Sequence, residues 1–450
     1  MKNILIITPF FAPYSHAAVY RAHRFAKYLP RFGWKPYVLT VDRDFLYFVD
    51  SLLLDDLPKD VQIIRARYAP LTFSGFKSLF SKPVNDSRLV KGPAISDLFI
   101  EAQKSFKRSL IRNIFYKLNI SFFFMPDRYN TWYPFALEKA KKLINNNDIR
   151  IIYSTSPPFT SHLIAMRLKE KYNIPWVADF RDPGVERDRI DLEFSFTGLN
   201  YKINCAIEQK TIEKADLILT TAESLQDLFF SKYKGIVKNK IIYLGHGADI
   251  DILKEVNVEL VKKDNKKFTI IYTGEFLPIY NTKLFEFLNI IFERKLFKRE
   301  NVEVLIIGNI KRNIFLQKEI MQLGLTDVVR LINYLSLKEY FKALLSADAT
   351  FLPTSFKYRF NIKLAEYLSI KKPIIVFDIT DEVQHVLEKS GLGVFISDDP
   401  KEGIKTLLNL LEGNNTFKIN EDYINKFSSF NRTMELADLL TKLEKGHESD

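Results

Sequence analysis

Residues 149–180 read IRIIYSTSPPFTSHLIAMRLKEKYNIPWVADF, and the class of fold follows from them. Ile149 to Tyr153, with Thr155, is an isoleucine-rich run that reads as a strand. Ser161 to Lys171 carries helical spacing, and Pro175 to Phe180 reads as a second strand. The pattern recurs on both sides. Upstream, Ile4 to Thr8 before Pro9 is a strand, Pro9 to Ala18 a loop, and Val19 to Leu29 a helix with Tyr20, Phe25, Tyr28 and Leu29 at helical intervals. Pro36 to Val41 is the next strand. Downstream, Leu217 to Thr221 and Ser224 to Tyr233 add another strand and helix. Strand-helix alternation of this kind predicts an α/β protein with a parallel sheet and helices on both faces.

The chain has 450 residues, which is too much for one core and suits two or three domains. After the strand-like Ile241 to Leu244, the charged, glycine-poor stretch Asp251 to Lys267 reads as a linker. The alternation then restarts: strands over Phe268 to Tyr272, Val302 to Ile307, Val328 to Ile332, Ala349 to Leu352 and Pro373 to Phe377, and helices over Thr282 to Glu293, Ile314 to Leu323, Leu337 to Ser346 and Ile362 to Ser369. Two doubly wound, Rossmann-like halves are expected, one over 1–253 and one over 254–420. Ligands of such sheets bind beyond the carboxyl ends of the strands, so facing halves would place a site in the cleft between them.

Composition excludes several function classes. Hydrophobic residues at 47% and charged residues at 27% rule out a disordered chain. No apolar run approaches the roughly 18 to 20 residues of a membrane-spanning helix, and the start lacks a small-residue cleavage site, so the chain reads as unprocessed and cytoplasmic. Cys205 is the single cysteine, which excludes an intrachain disulfide and a cysteine zinc site and fits a reducing compartment. The net charge of +12 implies an anionic partner: phosphorylated ligand, lipid headgroup or nucleic acid. Zinc-ligand spacings, an aromatic RNA-binding strand and glycine-rich RNA motifs are missing, which argues against nucleic acid.

Residues 71–120 interrupt the first half with nine Lys or Arg against Asp86, Asp97 and Glu101, a net +6. From Ile95 the positions Leu98, Phe99, Ala102, Phe106, Leu110, Ile114 and Leu118 recur at threes and fours, with Lys104, Lys107, Arg108 and Arg112 off that stripe. Two readings stand: a basic amphipathic helix anchored at an anionic membrane surface, or a helix packed on the first domain with a solvated basic face.

The strongest local signal is FNIKLAEYLSIKKPII, residues 360–375. A helix beginning near Asn361 presents backbone N–H groups and a positive dipole end to an anion, and Lys363 adds a full charge. Glu366, one turn on, has the chemistry to accept two hydrogen bonds from ribose hydroxyls. The plain alternative is a surface ion pair between Lys363 and Glu366. In the first half, Asp179, Arg181 and Asp182 follow the strand-like PWVADF, where one carboxylate could orient or deprotonate an acceptor hydroxyl; the alternative is an ion pair of Arg181 that fixes the loop. Arg21 and His23, early in the first helix, are candidates for an acceptor or phosphate side, as is His246 in LGHGAD. His162 reads as a cap or packing residue.

The 360–375 segment resembles the Lys-Leu-Phe-Glu-Tyr-Leu-Ala stretch of the glycosyltransferase family 4 group. The opening ITPFFAPYSHAAVYRAHRFAKYL and STSPPFTSHLIAMRLKEKYNIPWVADFRDP (154–183) are similar to signatures of a bacterial surface-polysaccharide subgroup. KADLILTTAESL, YTGEF, VLIIG and SADATFLP follow in the family's order. The resemblance implies a GT-B fold, two Rossmann-like domains facing across a cleft, with residues 421–450 forming a helix, Thr433 to Lys445 within it, that packs back toward the first domain. It implies a retaining, metal-independent glycosyltransferase without a cofactor, moving a sugar from a nucleotide-sugar to a lipid-linked or saccharide acceptor in cell-surface polysaccharide synthesis.

On the same resemblance, Glu366 holds the donor ribose, Lys363 and the N–H groups near Ile362 and Leu364 hold the diphosphate, and Gly274 admits backbone to the phosphates. Tyr334 and Leu335 line the base, with Lys283 the nearby cation. The chain departs from the family at Tyr358, which stands eight residues before Glu366 where a carboxylate is usual, and at Ser15-His16-Ala17-Ala18, where relatives carry glycines. These departures leave a non-catalytic scaffold of the same fold as an alternative, beside a nucleotide-sugar 2-epimerase-like enzyme.

Overall fold

The computed structural model describes residues 1–42, 48–69, 125–185, 198–235, 238–256, 267–274, 278–293, 295, 298–308, 314–333, 335–353, 358–377, 380–396, 401–412 and 417–448. The basic stretch 71–120, Tyr334 and most of the expected linker fall outside them. The chain forms two compact units, Met1–Leu244 with Thr433–Asp450, and Gly245–Arg432.

In the first unit, β1 (Lys2–Ile7), β2 (Trp34–Val41), β3 (Gln62–Ala66), β4 (Ile149–Ser156), β5 (Trp176–Phe180), β6 (Leu217–Thr220) and β7 (Ile241–Tyr243) form one sheet in the order β3-β2-β1-β4-β5-β6-β7. Every pairing is parallel. Helices α1 (Ala17–Tyr28), α2 (Tyr133–Asn146), α3 (Thr160–Tyr172), α4 (Gly198–Lys214) and α5 (Glu223–Lys232) alternate with the strands. Ile4 to Ile7 are at most 1% exposed, which is why β1 needs an unbroken apolar run. The chain's three tryptophans, Trp34, Trp132 and Trp176, are all fully buried in this unit. β3 was not expected. It is an edge strand with Gln62 exposed and three half-buried residues after it, so its apolar signal is weak.

Loop chemistry sets where α1 and α3 begin. His16 caps α1 by accepting the Ala18 N–H on Nδ1 at 3.2 Å. Asp127 caps α3 from outside the helix: its carboxylate takes the Thr160 N–H at 2.8 Å and the Thr160 hydroxyl at 2.7 Å. Burial pushes the Asp127 pKa up despite these donors.

In the second unit, β8 (Phe268–Thr273), β9 (Val302–Ile307), β10 (Val329–Ile332), β11 (Ala349–Leu352), β12 (Ile374–Val376) and β13 (Gly393–Phe395) pair in parallel in the order β10-β9-β8-β11-β12-β13. The helices are α6 (Pro278–Glu293), α7 (Ile314–Gln322), α8 (Leu337–Ser346), α9 (Ile362–Ser369), α10 (Asp381–Ser390), α11 (Lys401–Leu411) and the short α12 (Glu421–Asn425). Ile270, Tyr272, Leu284, Phe287, Val304, Phe351 and Ile375 lie in its core.

Both sheets share one winding. The chain builds outward on one side of its first strand, then returns to build on the other, which leaves a crevice between β1 and β4 and another between β8 and β11. Each is a topological switch point, the place where α/β sheets bind ligands.

The sequence places the domain junction near residue 253. In the structure Gly245 onward lies with the second unit, because Ala248 is stitched to its far end: its N–H donates to Phe427 O and its carbonyl accepts the Ser429 N–H, both at 2.7 Å. A Cβ on Gly247 would stand 2.7 Å from Ser429 backbone. The last helix, α13 (Ser429–Glu448), returns to the first unit from Thr433, where Glu444 pairs with Lys2.

His162 in α3 is wholly buried. Its Nδ1 meets the Ser154 hydroxyl at 2.8 Å, Nε2 has no hydrogen-bond partner, and Phe159, Trp176 and Phe180 surround the ring. Burial lowers its pKa from 6.5 to about 3. The unfolded chain therefore binds one more proton between those values, and stability falls as pH drops through that window. The gap in melting temperature between wild type and His162→Leu should narrow steadily from pH 7 to pH 4; a gap independent of pH would count against this account.

Candidate active site

The switch point of the second unit gathers the residues singled out in 360–375. β8 ends at Thr273 and the next residue, Gly274, has φ of +99°, a left-handed conformation that favours glycine. A Cβ there would come 2.5 Å from Lys363 Cε and 2.6 Å from Nζ. Gly308, after β9, packs so closely that a Cβ would lie 2.2 Å from Gly274 O. Backbone at the two strand tips thus closes up, and the Lys363 side chain lies against Gly274, because two side chains are missing.

Lys363 crosses that gap. Its Nζ donates to the Tyr272 hydroxyl at 2.9 Å and sits 4.4 Å from the centroid of the same ring. Hydrogen bond and cation–π contact together hold the ammonium beside Gly274. Glu366 is 6% exposed, and its Oε2 accepts the Tyr340 hydroxyl at 2.6 Å. This answers the plain alternative, since a buried carboxylate with a phenol donor is not half of a solvated surface pair. Burial and the neighbouring Glu366 carboxylate push the Tyr340 pKa well above its ordinary value, so the phenol keeps its proton.

The helix tip differs from expectation. Asn361 caps α9, its side chain accepting the Lys363 N–H at 3.0 Å and its carbonyl the Leu364 N–H at 2.9 Å. Two of the donors assigned to a diphosphate are therefore engaged within the turn, because an asparagine cap satisfies the orphan N–H groups of a first turn. Leu364 is fully buried, while Ile362 is half-buried. Lys283 on α6 pairs with Glu286 at 3.3 Å and lies 5.2 Å from the Phe377 ring beyond β12. Leu335 precedes α8 beyond edge strand β10, two strands from β8. Tyr358 has φ of +65°, a strained value for a bulky side chain.

The first unit's candidates form a buried knot. Asp179 is 0% exposed and accepts from Arg21 Nε at 2.9 Å, Arg21 Nη2 at 2.8 Å, the Tyr153 hydroxyl at 2.7 Å and Thr155 Oγ1 at 2.8 Å. Burial alone would raise the Asp179 pKa, but Arg21 and the hydroxyl donors hold it below the usual carboxylate range. Arg21 also reaches Leu244 O at 2.9 Å, and attraction to Asp179 outweighs the opposing effect of burial, raising its pKa.

Arg21 and Asp179, expected to face substrate, thus face each other. Arg181 fixes its loop through carbonyls: Nη1 donates to Ala18 O at 2.9 Å, and Nη2 to Pro157 O. Asp182 is half-buried, the more exposed of the two candidate carboxylates. His23, a candidate for the acceptor or phosphate side, is 2% exposed and bonds Leu53 O at 2.7 Å. His246 is 8% exposed in the segment that continues into the Ala248 stitch. Among the described residues no cluster of three or more His, Cys, Asp or Glu could hold a metal ion.

Residues 254–427 match the family model for glycosyl transferases group 1. The second unit is a glycosyl transferases group 1 domain, and the chain is a glycosyltransferase. No curated protein sequence matches it. Among solved structures, sucrose-phosphate synthase from Thermosynechococcus elongatus superimposes with a TM-score of 0.66 at 12% identity, covering 99% of this chain and 100% of that one. A glycosyltransferase from Rickettsia africae gives 0.60 at 14%, covering 98% of each. HepE of Anabaena in complex with UDP gives 0.57 at 12%, covering 98% and 100%. These likenesses establish the GT-B fold, whose paired Rossmann-like domains are the two units described above.

Sequence reasoning reached Gly274, Lys363 and Glu366 but not Tyr272, Tyr340, Thr273 or Tyr367, which hold them. Tyr340 and Glu366 are 26 residues apart on separate helices, so no local pattern links them. In the first unit, removing one partner of the buried pair should leave an uncompensated charge. Asp179→Ala should destabilise the glycosyltransferase by about 3–5 kcal/mol, and the double variant with Arg21→Met by less than the sum of the singles, measured by denaturant unfolding.

Proposed function

We propose that this glycosyltransferase moves a hexose-type sugar from a nucleotide-sugar, with retention of anomeric configuration and without a metal, to a lipid-linked or saccharide acceptor used in cell-surface polysaccharide. The carrying observation is the pairing of Lys363 and Glu366 at the switch point of the second unit, a cation at the strand tip and a buried carboxylate one turn deeper. Lys363 would meet the diphosphate and Glu366 the ribose hydroxyls.

Negative charge grows on the leaving diphosphate as the bond to the sugar breaks. A fixed ammonium and backbone dipoles aimed there stabilise the transition state more than the ground state. Asp182 would orient the acceptor hydroxyl, since the Asp179 carboxylate is enclosed by Arg21, Tyr153 and Thr155. Uridine is the first base to test, because the structurally similar HepE binds UDP.

Thermal-shift screening of UDP-, GDP- and ADP-sugars should raise the melting point with one donor class, since a ligand that binds only the native state stabilises it by mass action. With that donor, Glu366→Ala should lose roughly 10- to 100-fold in kcat/KM, the range for hydrogen bonds to a charged group, with unchanged circular dichroism. Wild-type rates in that variant would remove the donor assignment. A product of inverted anomeric configuration by NMR would refute retention.

The charge of 71–120 supports a second element of this reading, peripheral attachment to an anionic membrane. No helix among the described residues is long and apolar enough to cross a membrane. Neutralising Lys104, Lys107, Arg108 and Arg112 together should abolish sedimentation with phosphatidylserine vesicles; persistent binding would reject it.

A further inference from the structure

Behind Glu366 lies a chain of hydrogen bonds whose direction is determined. The Thr273 N–H donates to the Tyr367 hydroxyl at 3.1 Å. The Tyr367 oxygen is also 3.0 Å from Thr273 Oγ1, and that oxygen lies 3.3 Å from the Tyr340 hydroxyl. Tyr340 closes the series on Glu366 Oε2 at 2.6 Å. Tyr340 gives its single proton to Glu366 and can therefore only accept from Thr273, whose own proton is then used, which leaves Tyr367 as the donor to Thr273 Oγ1. Each hydroxyl thus donates one way: Tyr367 to Thr273 Oγ1, Thr273 to Tyr340, Tyr340 to Glu366.

Tyr367 and Thr273 are 0% and 2% exposed, so the inner links are shielded from competing water. The last link is the strong one, because a hydroxyl donating to a carboxylate is charge-assisted and short. Glutamate has three rotatable bonds, and without a fixed donor its carboxylate samples several orientations.

We propose that Tyr340 is a positioning residue for Glu366, held in place by Thr273 and Tyr367, so that the tip of β8 sets the orientation in which the carboxylate meets a ribose. The inference rests on the reading of Glu366 as the ribose contact. It makes a tyrosine 26 residues upstream, on a different helix, part of donor recognition.

The test is isothermal titration of the full chain with UDP, GDP and ADP, each against its 2′-deoxy counterpart. Wild type should prefer the ribonucleotide of the base it binds, and Glu366→Ala should lose that preference. Tyr340→Phe removes one oxygen and keeps the ring. It should weaken the ribonucleotide by about tenfold and the deoxynucleotide little. Thr273→Val should shift affinity the same way by a smaller factor, and Tyr340→Phe combined with Glu366→Ala should bind no more weakly than Glu366→Ala alone.

Loss of preference in Glu366→Ala but full preference in both Tyr340→Phe and Thr273→Val would overturn the positioning role and leave the ribose contact standing. Equal weakening of both nucleotides in Tyr340→Phe would also overturn it, as the mark of a packing defect. If Glu366→Ala itself keeps the preference, the ribose reading fails and the positioning role falls with it.

Discussion

A carboxylate taken out of water must be given donors, and that requirement organises both units of this glycosyltransferase. Asp179 meets it with a guanidinium and two hydroxyls, which makes it the centre of a rigid cluster joining β5, β4 and α1. Glu366 meets it with a phenol, backed by Thr273 and Tyr367 at the end of β8. The difference decides their roles. A carboxylate neutralised by an arginine has its charge compensated inside the protein. At Glu366 the Tyr340 hydroxyl fixes the direction of one carboxylate oxygen.

The two sheets share one strand order, to which the first adds a seventh strand at its edge, so topology offers two equivalent crevices. Residues at the strand tips separate them. In the second unit Gly274 and Gly308 let backbone segments close up, and Lys363 lies over the resulting floor. In the first, Arg181 fills the corresponding corner by bonding Ala18 and Pro157 carbonyls, and the loop before α1 reads Ser15-His16-Ala17-Ala18, without a glycine. A Cβ limits how closely backbone can approach a phosphate. The pyrophosphate reading therefore belongs to the second unit on steric grounds as well as on charge.

The tip of α9 shows how a local rule modifies a general one. Helix N-termini attract anions because their first N–H groups lack partners. Asn361 supplies two of those partners itself, so in the proposed donor site the charge of Lys363 matters more than the backbone. Lys363 can carry it because Tyr272 holds the ammonium by both its ring and its hydroxyl.

Sequence alone determined the class of fold, the two alternating halves and three residues of the candidate site. Buried parallel strands need unbroken apolar runs, and a helix start with a lysine and a glutamate one turn apart is a local pattern. The half-exposed edge strand Gln62–Ala66 escaped notice because exposure dilutes the run it would otherwise show. Tertiary structure alone decided what Arg21, Asp179 and His23 do, since each is read as available for a ligand until a partner from a distant segment closes on it: β5 on Arg21, Leu53 on His23. It also decided that Glu366 is supported by Tyr340, and that the second unit starts at Gly245, where Ala248 is tied to the chain on either side of Ser428. Apolar periodicity reports the average burial of a segment. Which polar atom ends beside which depends on how segments far apart in the chain pack, and no local pattern carries that.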